Sequence, residues 1–453
     1  MISAEQNRRL TQVGPRTAGG LLLRQYWHPI ALVEELDASQ GGVVRPVVAV
    51  RALGQDFVLF RDRTGQARLL DRDCPHRGAD LSYGRLEDGG LRCPFHGWLF
   101  DGEGRCLETP GEPCGSRLHT RIRQRAYPVR EINGSVFAWF GDGDPPALPA
   151  LDCFIAPNSH SFSFKGLWAC NWLQALEVGI DPVHASFLHR FFEDEDSSQA
   201  YGRQFRSASA NSEMPMTRVL REFTSPEIRL ESTDFGMRLI TLRPMGDAGT
   251  HVRVTNQIFP NAFTIPLSET MTITQWHLPV DDRQNYWHAM FTSFDSPIDH
   301  ARMREQRLRA HTLPGYVPTT GAANRYGFSA ADQHKDTYTG LGTDINVHDQ
   351  WAVESLGAVQ DRTREHLGTT DKAIIAHRRA LLTAMEAVER GERPKAVFDD
   401  AQAATVTGPM TMDGVCPQGD EAALEAFWRA VDARRRGGAS WAGGPMAALG
   451  ASA

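Results

Sequence analysis

Seven cysteines in 453 residues are too few and too scattered for a disulfide framework. Cys106, Cys114, Cys153, Cys170 and Cys416 form an odd, dispersed set, expected to be reduced thiols. Long hydrophobic runs are absent as well. Nothing approaches membrane-spanning length, and Met1-Ile2-Ser3-Ala4-Glu5-Gln6-Asn7-Arg8-Arg9 lacks the apolar core of a signal peptide. The expected location is the cytoplasm, with no membrane partner. Positive charge is in deficit, with 48 Lys and Arg against 55 Asp and Glu and a net charge of -7, which argues against nucleic acid as a partner. No internal repeat is visible, and the Gly/Ala-rich stretch 437–453 is expected to be a loose tail. The rest is ordinary globular material, 41% hydrophobic, with room for a domain of about 110 residues and a larger one of about 250.

The two remaining cysteines stand in a pattern. Cys74-Pro75-His76 is followed, after sixteen residues, by Cys93-Pro94-Phe95-His96, so two thiolates and two imidazoles arrive as mixed pairs on two loops. This set fits a Rieske 2Fe-2S cluster, in which the Cys bind one iron and the His the other. Neutral imidazoles there raise the reduction potential above that of an all-Cys ferredoxin. Such a cluster can accept electrons from a ferredoxin-type donor. The same residue types also make tetrahedral zinc sites, although zinc fingers usually pair Cys with Cys and His with His.

The flanking sequence reads as a small antiparallel β domain. Apolar runs at 57–60 and 67–70 flank Arg63-Thr64-Gly65, a hairpin signal, and Trp98-Leu99-Phe100 before Asp101-Gly102 reads as strand then turn. Runs at 127–129 and 136–140 complete the domain, and 141–146 reads as a linker. Residues 1–145 are therefore assigned to an N-terminal segment and cluster domain with its core at about 27–143, and 146–436 to a second domain. In the second, 218–220, 228–230, 237–242, 251–259, 271–278 and 286–294 read as strands of a large antiparallel sheet. Helical patterns cover 297–312, 372–391, 419–436 and the region around 171–189.

From Val13-Gly14-Pro15 and Tyr26-Trp27-His28-Pro29 to His366-Leu367-Gly368-Thr369-Thr370-Asp371, the chain resembles the Rieske non-heme iron aromatic ring-hydroxylating oxygenases. Within them it is most similar to the oxygenase component of the phthalate 4,5-dioxygenase group. The resemblance implies an α+β fold, a small antiparallel β Rieske domain followed by a helix-grip catalytic domain. It also assigns meaning to Asn171, Gln174, Glu177, Asp181, His184 and His189, which match the family pattern. His184 and His189 with one carboxylate then form the facial triad that holds Fe(II) and leaves coordination positions open. Taken alone, two histidines beside Phe187-Leu188 are more often packed core residues. Residues five apart on a regular helix sit about 140° from one another, so this pair converges only if the helix is broken. Gly179 and Pro182 supply a break, and Asp181-Pro182 also reads as an N-cap with Pro at the first helical position.

Composition cannot choose the carboxylate. Placement by resemblance gives Asp349, with Glu354 as fallback and Asp344 behind it. The resemblance implies that Asp181 binds no metal but joins a Rieske histidine, His76 or His96, of a neighbouring subunit to His184. A carboxylate accepting from both imidazoles would fix their tautomers, while the bland role for Asp181 is a helix cap. A head-to-tail homotrimer, stacked or not, satisfies such a bridge.

The implied activity is O2-dependent cis-dihydroxylation of a phthalate-like aromatic carboxylate. A flavin and iron-sulfur reductase would supply electrons from NAD(P)H. The alternatives are a monooxygenase that O-demethylates a methoxy-aromatic acid and, in another class, a plain Rieske electron carrier. Arg218, Arg221, Arg229 and Arg253 lie on the predicted sheet, and Arg253 is the first choice for the substrate carboxylate. Most strand arginines are surface or salt-bridge residues, and Val178 and Ala185 depart from related sequences in the pocket region.

Overall fold

The computed structural model describes residues 2–37, 45–194, 215–417 and 419–444. Alternating runs broken by glycine turns build three small antiparallel sheets in its first part. Val47–Ala52, Gln55–Arg61, Ala67–Asp71 and Ala126–Tyr127 form one. Arg85–Glu87, Gly90–Arg92, Leu99–Phe100 and Cys106–Glu108 form the second, and Trp27–Leu32, Ser135–Trp139 and Val129–Ile132 the third. The first two enclose a core of their own, including Val58, Phe60, Leu91, Trp98 and Phe100, in which Cys74 and Cys93 are buried. The expected hairpin is closed by the Asp62 carboxylate, which accepts from the N–H groups of Thr64 at 2.9 Å and Gln66 at 3.1 Å. The segment 141–146 is tied down rather than slack, since Trp27 Nε1 donates to the Pro146 carbonyl at 2.8 Å.

The second part holds a large antiparallel sheet. Its strands run in the order Ser161–Trp168, Asn285–Ser293, Met271–Pro279, Ala262–Pro266, Thr250–Ile258, Gly236–Pro244 and Glu227–Thr233. Ala262–Pro266 covers only the last residues of Thr250–Ile258, and Met412–Cys416 returns from far along the chain to pair with the rest. The expected strands from 228 to 294 all lie in this sheet. The one at 218–220 does not: Met216–Glu222 is a helix, and its i,i+4 pair Met216 and Leu220 faces the central cavity. Arg218 and Arg221 are therefore helical, paired with Glu222 at 2.9 Å and Asp194 at 2.8 Å. The helix expected over 297–312 is confined to His300–Leu308, capped by Asp299, before a short strand at His311–Thr312. Lys372–Glu389 and Glu421–Gly437 are helices as expected. Of the expected tail, 445–453 lies outside the described residues. Ile345–Glu354, a helix capped by Asp344, was not foreseen. Among the described residues, no helix is long and apolar enough to cross a membrane.

The largest core runs through both parts of the chain. It joins Leu10, Leu23, Phe57 and Leu69 to Trp172 and Leu176, to Ile374, Leu381 and Met385, and to Leu239 and Phe263 of the large sheet. The helix Trp172–Gly179 sits at its centre and leads directly into the candidate iron ligands. Gly179 allows its close approach to the sheet, because a Cβ there would lie 2.1 Å from the Phe263 ring. Asn171, Gln174 and Glu177, spaced by three, fix this helix from one side. Asn171 Oδ1 accepts from the Leu173 N–H, and its Nδ2 donates to the carbonyls of Thr11 and Asp282. Gln174 Nε2 donates to Val353 O at 2.8 Å and Gly357 O at 2.7 Å, while its Oε1 accepts from the Gln360 N–H at 2.9 Å. Buried Glu177 receives Arg362 at 3.0 Å and Arg378 at 2.6 Å.

Burial acts to raise the Glu177 carboxyl, and the two guanidiniums outweigh it, leaving the group below its ordinary value. Glu177→Ala leaves the buried Arg362 without a carboxylate, while Arg378 keeps Glu365, and is expected to cost about 3 kcal/mol or more, read from the denaturant midpoint. Because the folded value is depressed, the wild-type advantage is present at neutral pH and shrinks as pH falls from the ordinary 4.5 through the folded value. An equal midpoint for both proteins at pH 7 would exclude this role.

Candidate active site

The two cysteine loops share one backbone frame. The Cys74 N–H donates to Ala79 O and the Gly78 N–H to Cys74 O, both at 2.8 Å, while Cys93 repeats this with Trp98 O at 2.8 Å and Gly97 at 3.0 Å. Gly78 and Gly97 have φ of +77° and +76°, a conformation glycine adopts without strain. The histidine is third in one loop and fourth in the other. The sulfur end is buried, with Cys74 and Cys93 3% and 2% exposed, whereas His76 faces solvent. His76 and His96 meet edge to face at 4.4 Å, and Trp98 stacks on His76 at 4.4 Å. Burial pushes the Cys74 thiol up to about 12, opposed by the His76 N–H and reinforced by nearby Cys93. Such a thiol stays protonated unless a metal takes its sulfur. Among the described residues, one group of three or more metal-type donors lies within 4.8 Å of one another, and it is not this set. Two buried cysteines beside a pair of neighbouring imidazoles are the donors that a Rieske cluster would take, the sulfurs on one iron and the histidines on the other.

That one group is His184, His189 and Asp349. The helix before them ends at Gly179, and His184–Ser186 is a single 3-10 turn, the break that their spacing requires. The Asp181 carboxylate shapes the turn by accepting from the Val183 N–H at 2.8 Å, and its peptide carbonyl accepts from His184 Nδ1. A carbonyl can only accept, so Nδ1 carries the proton and Nε2 of His184 presents a lone pair. Nε2 of His184 and of His189 lie 3.8 Å and 3.2 Å from Asp349 Oδ1. That oxygen is buried and has no hydrogen-bond partner among the described residues. A buried carboxylate oxygen and two imidazole nitrogens converging on one point fit a bound cation. Two imidazoles and a carboxylate are the donors of a non-heme Fe(II) site. Glu354, the fallback, is elsewhere: it accepts from the Ala169 N–H and the Tyr326 hydroxyl. Asp344 caps the helix that carries Asp349.

A cavity of about 200 Å³ adjoins these ligands. Period-two alternation supplies its floor, with Leu239, Thr241 and Arg243 from one strand and Arg253 and Thr255 from the next. Phe263, Ile265, Ile273 and Phe291 add apolar wall. Arg253 lines the cavity as expected, but its Nη1 is 2.6 Å from Asp413 Oδ2 and its Nη2 donates to Pro266 O. Arg229 lies on the outer strand, paired with Glu227 and Glu421. Arg243 is different. It is 1% exposed and, among the described residues, donates once, from Nη2 to Pro182 O at 2.9 Å, with no partner for Nε or Nη1. Burial, with Arg253 adding and Asp413 opposing, lowers it to about 10, so it remains a cation at neutral pH. Sequence reading overlooked Arg243 by ending its strand at 242, although alternation from Leu239 points it into the cavity.

Residues 153–438 match the family described as LigXa C-terminal domain like, and residues 26–128 the Rieske [2Fe-2S] domain. The chain is 32% identical over 409 residues to the 5,5'-dehydrodivanillate O-demethylase oxygenase subunit of Sphingobium sp. (strain NBRC 103272 / SYK-6), covering 88% of this chain and 84% of that one. It is 32% identical over 410 residues to the phthalate 4,5-dioxygenase oxygenase subunit of Pseudomonas putida, covering 86% and 88%. The chain belongs to the Rieske aromatic oxygenases. Its fold is also similar to that of dicamba monooxygenase bound to dicamba, with TM-score 0.56 and 19% identity over 82% of this chain and 99% of the other.

As the terminal component of a Rieske oxygenase, the subunit uses a 2Fe-2S cluster that receives electrons from a partner reductase and a non-heme iron that activates O2. The chain's own part is to orient three donors, exclude water with an apolar wall and hold a substrate beside them. An electron carrier would have no use for this triad. Loaded protein should contain about three irons per chain. His184→Ala should lower that to about two, abolish turnover and leave the Rieske absorption unchanged. Undiminished iron and turnover in this variant would remove His184 from the site.

Proposed function

We propose that this oxygenase subunit cis-dihydroxylates a single-ring aromatic carboxylate, with the carboxylate received by Arg243. The unpartnered Nε and Nη1 of that buried guanidinium carry the reading. Buried polar groups in native proteins are rarely left unsatisfied, and a carboxylate accepts two guanidinium N–H groups at once. Arg253, the first choice from sequence, has its charge matched by Asp413. The cavity, about 200 Å³, is smaller than the roughly 300–1,000 Å³ usual for drug-sized ligands, which favours one ring over two linked rings. Phe263 and Phe291 line the cavity and supply apolar contact for that ring. Arg243 also holds Pro182 O, two residues before His184, so the anion's seat and the metal loop are joined.

Electrons come from NAD(P)H through a flavin and iron-sulfur reductase, and pass from the cluster of one subunit to the iron of its neighbour in a homotrimer. Asp181 supports this reading, because its second carboxylate oxygen takes no hydrogen bond among the described residues and can receive His76 or His96 of another copy. Phe187, Tyr338 and Trp351 form an exposed apolar hollow at whose edge His184 lies, and the cluster loops expose Phe95 and Tyr83, a matching pair of apolar surfaces. O-demethylation of a methoxy-aromatic acid is the second reading, favoured by similarity to the dehydrodivanillate demethylase subunit.

Turnover of candidate acids under labelled O2 separates the two: dihydroxylation puts both atoms of one O2 in the product, and demethylation releases formaldehyde. Arg243→Met should raise KM for the acid by about 30-fold or more and leave the KM of its neutral methyl ester unchanged. Equal effects on acid and ester would exclude an anion seat. Asp181→Asn should retain both metals and slow electron transfer between them in single-turnover kinetics. Transfer at the wild-type rate would contradict the bridge.

A further inference from the structure

His348, one residue before Asp349, contributes to neither the family assignment nor the ligand set. It is fully buried, at 0% exposure, at the start of the helix that carries Asp349. Its Nε2 lies 2.8 Å from Gly342 O, and because a carbonyl only accepts, Nε2 carries the ring proton. In the neutral ring Nδ1 is then an acceptor, and it faces His189 Nδ1 at 3.3 Å. One proton sits between these two nitrogens. On His189, it leaves His189 Nε2 as the lone-pair atom, 3.2 Å from Asp349 Oδ1. On His348, it would put a hydrogen on Nε2 of the neutral His189 ring and close that ring to a metal.

Consecutive residues of one helical turn thus grip His189 from two sides, Asp349 at Nε2 and His348 at Nδ1. Side chains one residue apart on a helix diverge by about 100°, which lets neighbours reach different edges of one ring. The two imidazoles are nearly parallel, with centroids 5.5 Å apart and planes at 23°, which fixes the rotation of His189 about its own axis. His184 obtains the same tautomer from a backbone carbonyl, whereas His189 obtains it from a side chain that is open to substitution.

We infer that His348 is a positioning residue that, through its Gly342-anchored ring, selects the Nδ1–H tautomer of His189 and so sets the affinity of the mononuclear iron site. The inference rests on the reading of His184, His189 and Asp349 as iron ligands. Purified full-length protein, stripped of the mononuclear iron with its Rieske absorption intact, would be retitrated anaerobically with Fe(II) against a competing chelator. His348→Leu should weaken Fe(II) binding by about 10–100-fold, as loss of an outer partner of a metal-bound histidine does. His348→Asn, whose Oδ1 can accept from His189 Nδ1–H, should recover most of the loss. Wild-type affinity in the Leu variant overturns the inference, and so does an equal loss in both variants, which would mean packing alone. Should the Leu variant not fold, histidine 15N shifts of wild-type protein with zinc in the site decide the matter: a protonated Nδ1 on His348 overturns the assignment, and a protonated Nε2 upholds it. Failure of the wild type to take up Fe(II) at all would count against the iron site itself.

Discussion

The carboxamide of Gln174 ties together the two stretches of chain that carry the candidate iron ligands. Its nitrogen holds carbonyls at and just beyond the end of the helix bearing Asp349, and its oxygen holds the backbone at Gln360. The segment bearing His184 and His189 follows directly from Gln174's own helix and has only the 3-10 turn His184–Ser186 to support it. A triad built from an irregular loop and a separate helix keeps its geometry only if those two elements cannot slide. Asn171 and Glu177, one helical turn to either side, perform the same service against the N-terminal segment and against Arg362 and Arg378. The three polar residues that match the family pattern before the metal motif are thus its frame.

Charge in the cavity is arranged by omission. At one end, a buried carboxylate oxygen faces two imidazole nitrogens, and at the other a buried guanidinium has two N–H groups without acceptors among the described residues. Desolvating such groups is costly, and each would be relieved by a ligand of the missing sign. Neighbouring Arg253 serves as the contrast. Asp413 satisfies it and also faces His251, so this second guanidinium shapes the floor without demanding an anion.

Much of this was legible in the chain itself. The mixed Cys-His pairs specify the cluster because their residue types and spacing are both rare, and the strands from 228 to 294 follow from apolar runs of strand length, the central ones buried along nearly their whole length. Asp349 was legible only by resemblance, since nothing local distinguishes one acid among many, and the helix Ile345–Glu354 that presents it was overlooked. Asp344 before Ile345 was its cap signal. The misread strand at 218–220 illustrates the weakness of short apolar runs, because Val219 is buried equally well by either structure. Arg243 and Arg253 could not be ranked without coordinates: the difference lies in Asp413, which is 160 residues from Arg253 in sequence.

The apolar core that passes from Leu10 and Phe57 into Trp172, Leu381 and Phe263 has an evolutionary corollary. Although 141–146 looks like a seam, a graft made there would inherit half of an interior built to fit the discarded half. Exchange of the cluster-bearing portion between lineages would have to bring the matching N-terminal helices and their counterpart faces with it. Diversification of such a chain is therefore easier around the cavity, where single side chains change what is recognised, than by trading its electron-receiving part for another.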